Sequence, residues 1–226
     1  MNTLKNRQPT YKGSAVYTTI LYILAIPTAI LMLSPLVLGF MNEFSRIDSN
    51  ADLIYLILRG LGALGIIVAV NALAICKNVF FCSIPSLFIS VAVVFPMLDS
   101  INALIEAQRF ANDYNMPADL STYVLSTVEY VLFFLVSVLT FLYCTGVLKL
   151  PVAIMALGVP AAMAAAYTVY INIVNFGMDI FHVLTFAYAV TAPLIPVVIT
   201  LGCDSKKEKT PKTEDSNKYR ARRYKN

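Results

Sequence analysis

The sequence predicts an all-α integral membrane protein. The expected form is a six-transmembrane-helix bundle, N-in/C-in, with a short outer amphipathic helix and a disordered basic C-terminal tail. Hydrophobic residues make up 58% of the 226 residues and charged residues only 13%, against about 25% charged in a soluble domain. Six apolar segments reach the roughly 20 residues that a helix needs to cross a ~30 Å hydrocarbon core. The loops between them alternate between basic and non-basic.

The six segments are Val16 to Phe40, Leu53 to Ile75, Val79 to Leu98, Thr122 to Cys144, Val147 to Asn172 and Met178 to Cys203. In lipid their backbone groups must bond internally, which selects helices. Pro27, Pro35, Pro85, Pro96, Pro160, Pro193 and Pro196 fall inside them, as membrane helices tolerate when neighbours re-satisfy the freed backbone groups. The first segment follows Lys5, Arg7 and Lys12, as a signal peptide would. Its apolar run of about 25 residues is too long for such a peptide, and no A-x-A-like site follows, so it reads as a retained helix.

Orientation follows from Lys and Arg in the short loops. Residues 1–15 hold three bases and no acid. The 41–52 loop sets Arg46 against Glu43, Asp48 and Asp52, and the 99–121 loop sets Arg109 against Asp99, Glu106, Asp113 and Asp119. The turns at Lys77 and Lys149 are basic, and 173–177 has no base. Both ends are therefore expected in the cytoplasm, with the chain multi-pass in the plasma membrane. Cys76, Cys82, Cys144 and Cys203 then all lie at or near cytoplasmic helix ends, where thiols stay reduced. The expected outer loops hold no Asn-x-Ser/Thr sequon, which suits a bacterial cell membrane.

The 99–121 loop carries Ile101, Leu104, Ile105, Ala107, Ala111 and Tyr114 at helical spacing. It reads as a short amphipathic helix, either a structured connector or a lid over an outer cavity. Pro117 is placed to open the fourth span, with Asp119 in its first turn. Nine of the 17 Lys and Arg lie after Leu201, so the net charge of +4 describes a tail. Residues 204–226 are nearly free of apolar side chains and are expected to be disordered. Their basic end, Lys218 to Lys225, suits anionic inner-leaflet lipid or a plain topology anchor, and gives little support to nucleic acid as a partner.

Ionisable residues inside spans are costly and mark candidate sites. Arg59 lies in the second span and Glu129 in the fourth, both roughly 9–10 Å below the outer boundary at ~1.5 Å per residue. Asp179 and His182 open the sixth. Thr122, Ser126, Glu129, Ser137, Thr140 and Cys144 follow one face of the fourth helix, which should face protein or water. Thr168, Asn172 and Asn175, beside Tyr167 and Tyr170, form a second stripe, and the sixth span adds Thr185 and Tyr188. The candidate substrate-binding set is Arg59, Glu129, Ser126, Tyr167, Tyr170, Asn172, Asp179 and His182, lining an outward-facing pocket. Opposite charges at matching depth predict that the second and fourth spans are neighbours. Arg59 and Glu129 would then meet directly or through water or a ligand. Alternatively, Arg59 snorkels to outer headgroups.

Small residues form seams at Gly62, Gly65 and Ala69, at Gly158, Ala162 and Ala166, and at Ala25 and Ala29. They serve packing within the chain, or else a dimer or partner subunit. No catalytic motif is present, no cofactor is implied, and the single His182 excludes a multi-histidine metal site. These features point to a small-solute-binding or transport subunit working with partners. A membrane scaffold or accessory subunit is the alternative, and a membrane-embedded enzyme using Glu129, Asp179 and His182 is a third reading. In outline the chain resembles the six-helix substrate-binding subunits of energy-coupling-factor transporters, and the Ala25-x-x-x-Ala29 pair is similar to the patch with which they dock a partner. That resemblance is architectural and implies an ATPase-containing partner. A six-span exporter permease with a separate ATPase fits the same outline.

Overall fold

A computed structural model describes residues 9–41, 50–114, 120–149, 151–176 and 180–204. A two-residue strand, β1 (Thr10–Tyr11), precedes helices α1 (Ala15–Met41) and α2 (Asn50–Cys76). A 3-10 turn (Val79–Cys82) leads into α3 (Ser83–Asp113). Then come α4 (Ser121–Cys144), α5 (Pro151–Phe176), α6 (Ile180–Leu201) and β2 (Cys203–Asp204). Among the described residues, five helices are long and apolar enough to cross a membrane. In α6 the described apolar stretch is the shorter Tyr188–Leu201. The chain is a polytopic all-α membrane protein.

Each helix packs on the next in chain order, and α6 closes the ring on α1. Contact between α6 and α4 fills the middle. Contrary to expectation, α2 and α4 are not packing neighbours, because α3 stands between them. Large apolar side chains such as Ile23, Ile30, Val68, Val152 and Met163 point outward, as lipid-facing surface requires. Polar groups join helices across the interfaces: Thr28 to Thr191 at 2.6 Å and Ser100 to Thr127 at 3.0 Å.

The seams are consumed inside the bundle. Ala25, Ala29, Ala69 and Ala162 are buried. A Cβ on Gly62 would meet Met32 and Ile89, one on Gly65 would meet Pro85, and one on Gly158 would meet Val197 and the Pro193 carbonyl. The helices approach closely because these positions lack bulk. Ala25 and Ala29 therefore offer no exposed patch on α1 to a partner.

Two boundaries differ from the sequence reading. The expected separate amphipathic helix is a continuation of the third span. The helix α3 runs 31 residues through Pro96 to Asp113, about 46 Å, so it outreaches a ~30 Å core. Spaced apolar residues at 101–114 continue the helix because no breaker follows Pro96. The fifth span begins at Pro151 rather than Val147. Gly146, at φ 79°, ends α4 in a Schellman turn. The Gly146 and Val147 N–H groups bond the Tyr143 and Leu142 carbonyls at 3.0 Å each. Pro151, with no N–H to satisfy, then opens α5. Pro117, Asp119, residues 1–8 and the tail beyond Asp204 lie outside the described residues.

At one end of the bundle, β1 pairs antiparallel with β2, Thr10 opposite Asp204 and Tyr11 opposite Cys203. Thr10 also bridges Asn78. The start of α1, the α2–α3 turn and the end of α6 therefore share a face, called the strap end below. All four cysteines gather there: Cys76 exposed, Cys82 and Cys144 buried, Cys203 half-buried.

Candidate functional site

Arg59 is held about 25 Å from the strap end by the length of α2 below it. Its side chain turns into the bundle rather than out toward headgroups. One terminal nitrogen donates to the Tyr55 hydroxyl at 3.1 Å, one turn earlier on α2. The other reaches the Leu31 carbonyl of α1 at 3.5 Å. The guanidinium carbon lies 5.4 Å from the Tyr55 ring centre and 5.2 Å from that of Tyr188 on α6. Both distances fall within cation–π range, and such contacts gain strength away from water. The buried Nε–H has no acceptor. An orphaned donor on a charged group costs more than the 1–3 kcal/mol typical of a neutral one.

Glu129 lies at a similar level on α4 with the Thr168 side chain of α5 beside it, whose hydroxyl donates to the Ala164 carbonyl of its own helix at 3.0 Å. The described contacts of Arg59 include no ion pair with Glu129, so the expected direct meeting does not occur. Tyr188 and Tyr130 each lie within electrostatic reach of both charged groups, and Tyr130 also faces Asp99 of α3. Each of the six helices thus supplies a polar group to one level of the bundle.

The other predicted residues fall less centrally. Ser126 sits half-buried one turn before Glu129 on the same face. Tyr167 and Tyr170 are exposed on the outer face of α5, stacked on each other at 6.3 Å. Thr168 points inward to Glu129, and the helical rotation carries its two aromatic neighbours outward. Neither lines the cavity described below. Asp179 and the side chains of Asn172, Thr185, Asn175 and His182 lie outside the described residues. Tyr55, Tyr130 and Asp99 join the site without having been singled out. Tyr55 carried a signal, four residues before Arg59 on one helix face. Tyr130 and Asp99 carried none, since only packing brings them in.

The α4 stripe does face inward, with Phe133, Ser137, Thr140 and Cys144 all buried. Toward the strap end it borders a cavity of about 40 Å³ between α2, α3, α4 and α6. Its walls include Ile66, Val70, Cys82, Ile89, Phe133 and Ile199. The hydroxyls of Ser86, Ser137 and Thr140 also line it, but they donate to carbonyls of their own helices at 2.7, 2.9 and 2.6 Å. The lining is therefore apolar, and the space holds only a few water-sized spheres. Glu129 does not reach it. Among the described residues, no three His, Cys, Asp or Glu side chains assemble as metal ligands. Compared with known protein families, curated proteins and solved structures, the chain shows no match to any.

Proposed function

We propose that this chain is a solute-binding or transport subunit of a cell membrane and that the level around Arg59 handles the solute. In this reading α6 is a sixth crossing and the strap end faces the cytoplasm, as the Lys and Arg alternation requires. The carrying observation is Arg59 itself: a cation within the membrane, boxed by Tyr55 and Tyr188, with a buried N–H that no protein group accepts. Intramembrane ionisable residues mark solute or ion pathways by default. The test is purification from native membranes followed by mass spectrometry of retained small molecules. Wild type and a Tyr167→Ala control should retain the same solute, and Arg59→Met should lose it. Exposed Cys76 should label with maleimide only from the cytoplasmic side; labelling from outside intact cells would reverse the orientation.

A second reading, a membrane scaffold or accessory subunit, is favoured by one observation. The described cavity is small and apolar, and Glu129 does not line it, as a packed structural bundle would have it. No retained solute, together with an Arg59→Met variant that loses only thermal stability, would select that reading. Ala25 and Ala29 are buried inside the bundle, so a co-purifying ATPase subunit would use other residues.

A further inference from the structure

We propose that Cys82 and Cys144 are a peroxide-sensitive pair that closes into a disulfide, clamping the start of α3 to the end of α4. The proposal does not depend on solute binding, since it concerns chemistry at the strap end alone.

Two elements far apart in sequence bring the thiols together. Cys82 ends the 3-10 turn that leads into α3, and Cys144 is the last residue of α4. That turn packs on α4, and both side chains belong to one buried cluster with Val79, Val136 and Tyr143. The two thiols lie within hydrogen-bonding reach of each other. Both are buried, and neither is in a disulfide. Thiols in such contact need only side-chain rotation to reach the ~2.05 Å of an S–S bond. The remaining cysteines have other surroundings: Cys76 is exposed at the end of α2, and Cys203 lies beside the Tyr143 side chain.

The surroundings select the oxidant. Cys82 borders the apolar cavity of about 40 Å³, which admits only a few water-sized molecules. Hydrogen peroxide is uncharged and little larger than water, so it fits where a charged peptide disulfide does not. Cys144 does not border that cavity, so Cys82 reacts first. Its sulfur attacks one peroxide oxygen, the O–O bond breaks, and the thiol proton leaves with the departing hydroxide as water. The Cys144 sulfur then attacks the sulfur of the Cys82 sulfenic acid. The S–O bond breaks, and the second thiol proton leaves with that hydroxide as water. Two thiols lose two electrons in all, and one peroxide is reduced to two waters. Buried thiols react slowly, so the mark of this pair is its product rather than its speed.

The product suits its site. A disulfide is neutral, whereas a monovalent soft metal ion on the same two thiolates would bury a net negative charge. The bond also closes the whole stretch from the start of α3 to the end of α4 into a loop, which restricts the unfolded chain. In the reading that the strap end faces the cytoplasm, thiols there are kept reduced. The clamp then forms only under oxidant, and thiol reductants reopen it.

The test uses the full chain in lipid nanodiscs. Treatment with hydrogen peroxide is followed by denaturation in excess maleimide and peptide mass spectrometry. In wild type, the Cys82 and Cys144 peptides should be joined, with the loss of two hydrogen atoms. The unfolding midpoint should rise by several degrees, and dithiothreitol should reverse both changes. Cys82→Ala and Cys144→Ala, made separately, should each abolish the bond and the rise, and Cys76→Ala should abolish neither. If both alanine variants unfold, seen as loss of the thermal transition, the wild-type peptide map and its reversal decide alone. Peroxide that oxidises Cys76 but leaves Cys82 and Cys144 open to maleimide, or that joins either one to Cys203 instead, would overturn the proposal. So would a bond formed with no rise in the midpoint.

Discussion

The edge of Phe133 meets the Tyr188 ring, with centroids 6.4 Å apart and planes at 71°. On its other side Phe133 walls the apolar cavity, while Tyr188 faces Arg59. This aromatic pair is thus the partition between the polar level and the cavity. Val93 and Ala192, both buried, pack beside it.

Truncating the partition should therefore do two things. Phe133→Ala should lower stability by about 3 kcal/mol, the usual range for a buried aromatic cut to Ala. It should also let water reach Arg59 from the cavity side. Thermal unfolding in detergent checks the first, and amide exchange on α4 near Tyr130 checks the second. A loss below about 1 kcal/mol would mean that the neighbouring side chains collapse into the gap.

Arg59 should couple to Tyr188 more strongly than to Glu129. The ring contact is direct, and a desolvated cation–π contact is worth up to about 2 kcal/mol. Among the described contacts Arg59 makes none with Glu129, whereas it lies over the Tyr188 ring. Double-mutant cycles on unfolding free energy, Arg59→Met with Tyr188→Leu and Arg59→Met with Glu129→Gln, make the comparison. A larger coupling in the Glu129 cycle would show that the two charges pair directly in the membrane.

Gly158 and Gly62 should respond differently to the same methyl group. At Gly158 a Cβ would stand 2.5 Å from a Val197 methyl and 3.1 Å from the Pro193 carbonyl, which is backbone and cannot turn away. Gly158→Ala should cost about 1–3 kcal/mol by forcing α5 off α6. At Gly62 the nearest atom is the flexible end of Met32, at 3.0 Å, so Gly62→Ala should be nearly neutral. Equal melting temperatures for the two variants would contradict the packing described.

Tyr11 should titrate late. Burial pushes its phenol above the ordinary value of about 10 and outweighs the Thr18 side chain, which pulls it down, while the neighbouring thiols of Cys203 and Cys82 add to the rise. The folded state therefore favours the protonated phenol. Its contribution to stability is complete below pH 10 and falls as pH rises through the raised value. The difference in tyrosinate absorbance between wild type and Tyr11→Phe isolates this group, and its midpoint should lie above 10. A midpoint at or below 10 would place the ring in water.

The spans were legible because membrane insertion sums local transfer energies along the chain. Twenty apolar residues in a row suffice, whatever surrounds them. The inward stripe from Glu129 to Cys144 was legible for a related reason, since helical period alone puts those residues on one face. The alternation of basic loops likewise needs no partner to be read. The length of α3 was misread because apolar spacing at 101–114 is the same in a separate helix and in a continued one.

What the sequence by itself determined is a polytopic helical membrane protein with its rare charges on inward faces. The tertiary structure alone decided which helices touch. It set α3 between α2 and α4, so that Arg59 found Tyr188 rather than Glu129. It turned Tyr167 and Tyr170 outward and folded Tyr11 under Gly202. Hydropathy and period are properties of neighbours in sequence. The seating of a ring between Gly13 and Gly202, nearly the whole chain apart, depends on close packing across the bundle, which no local pattern records.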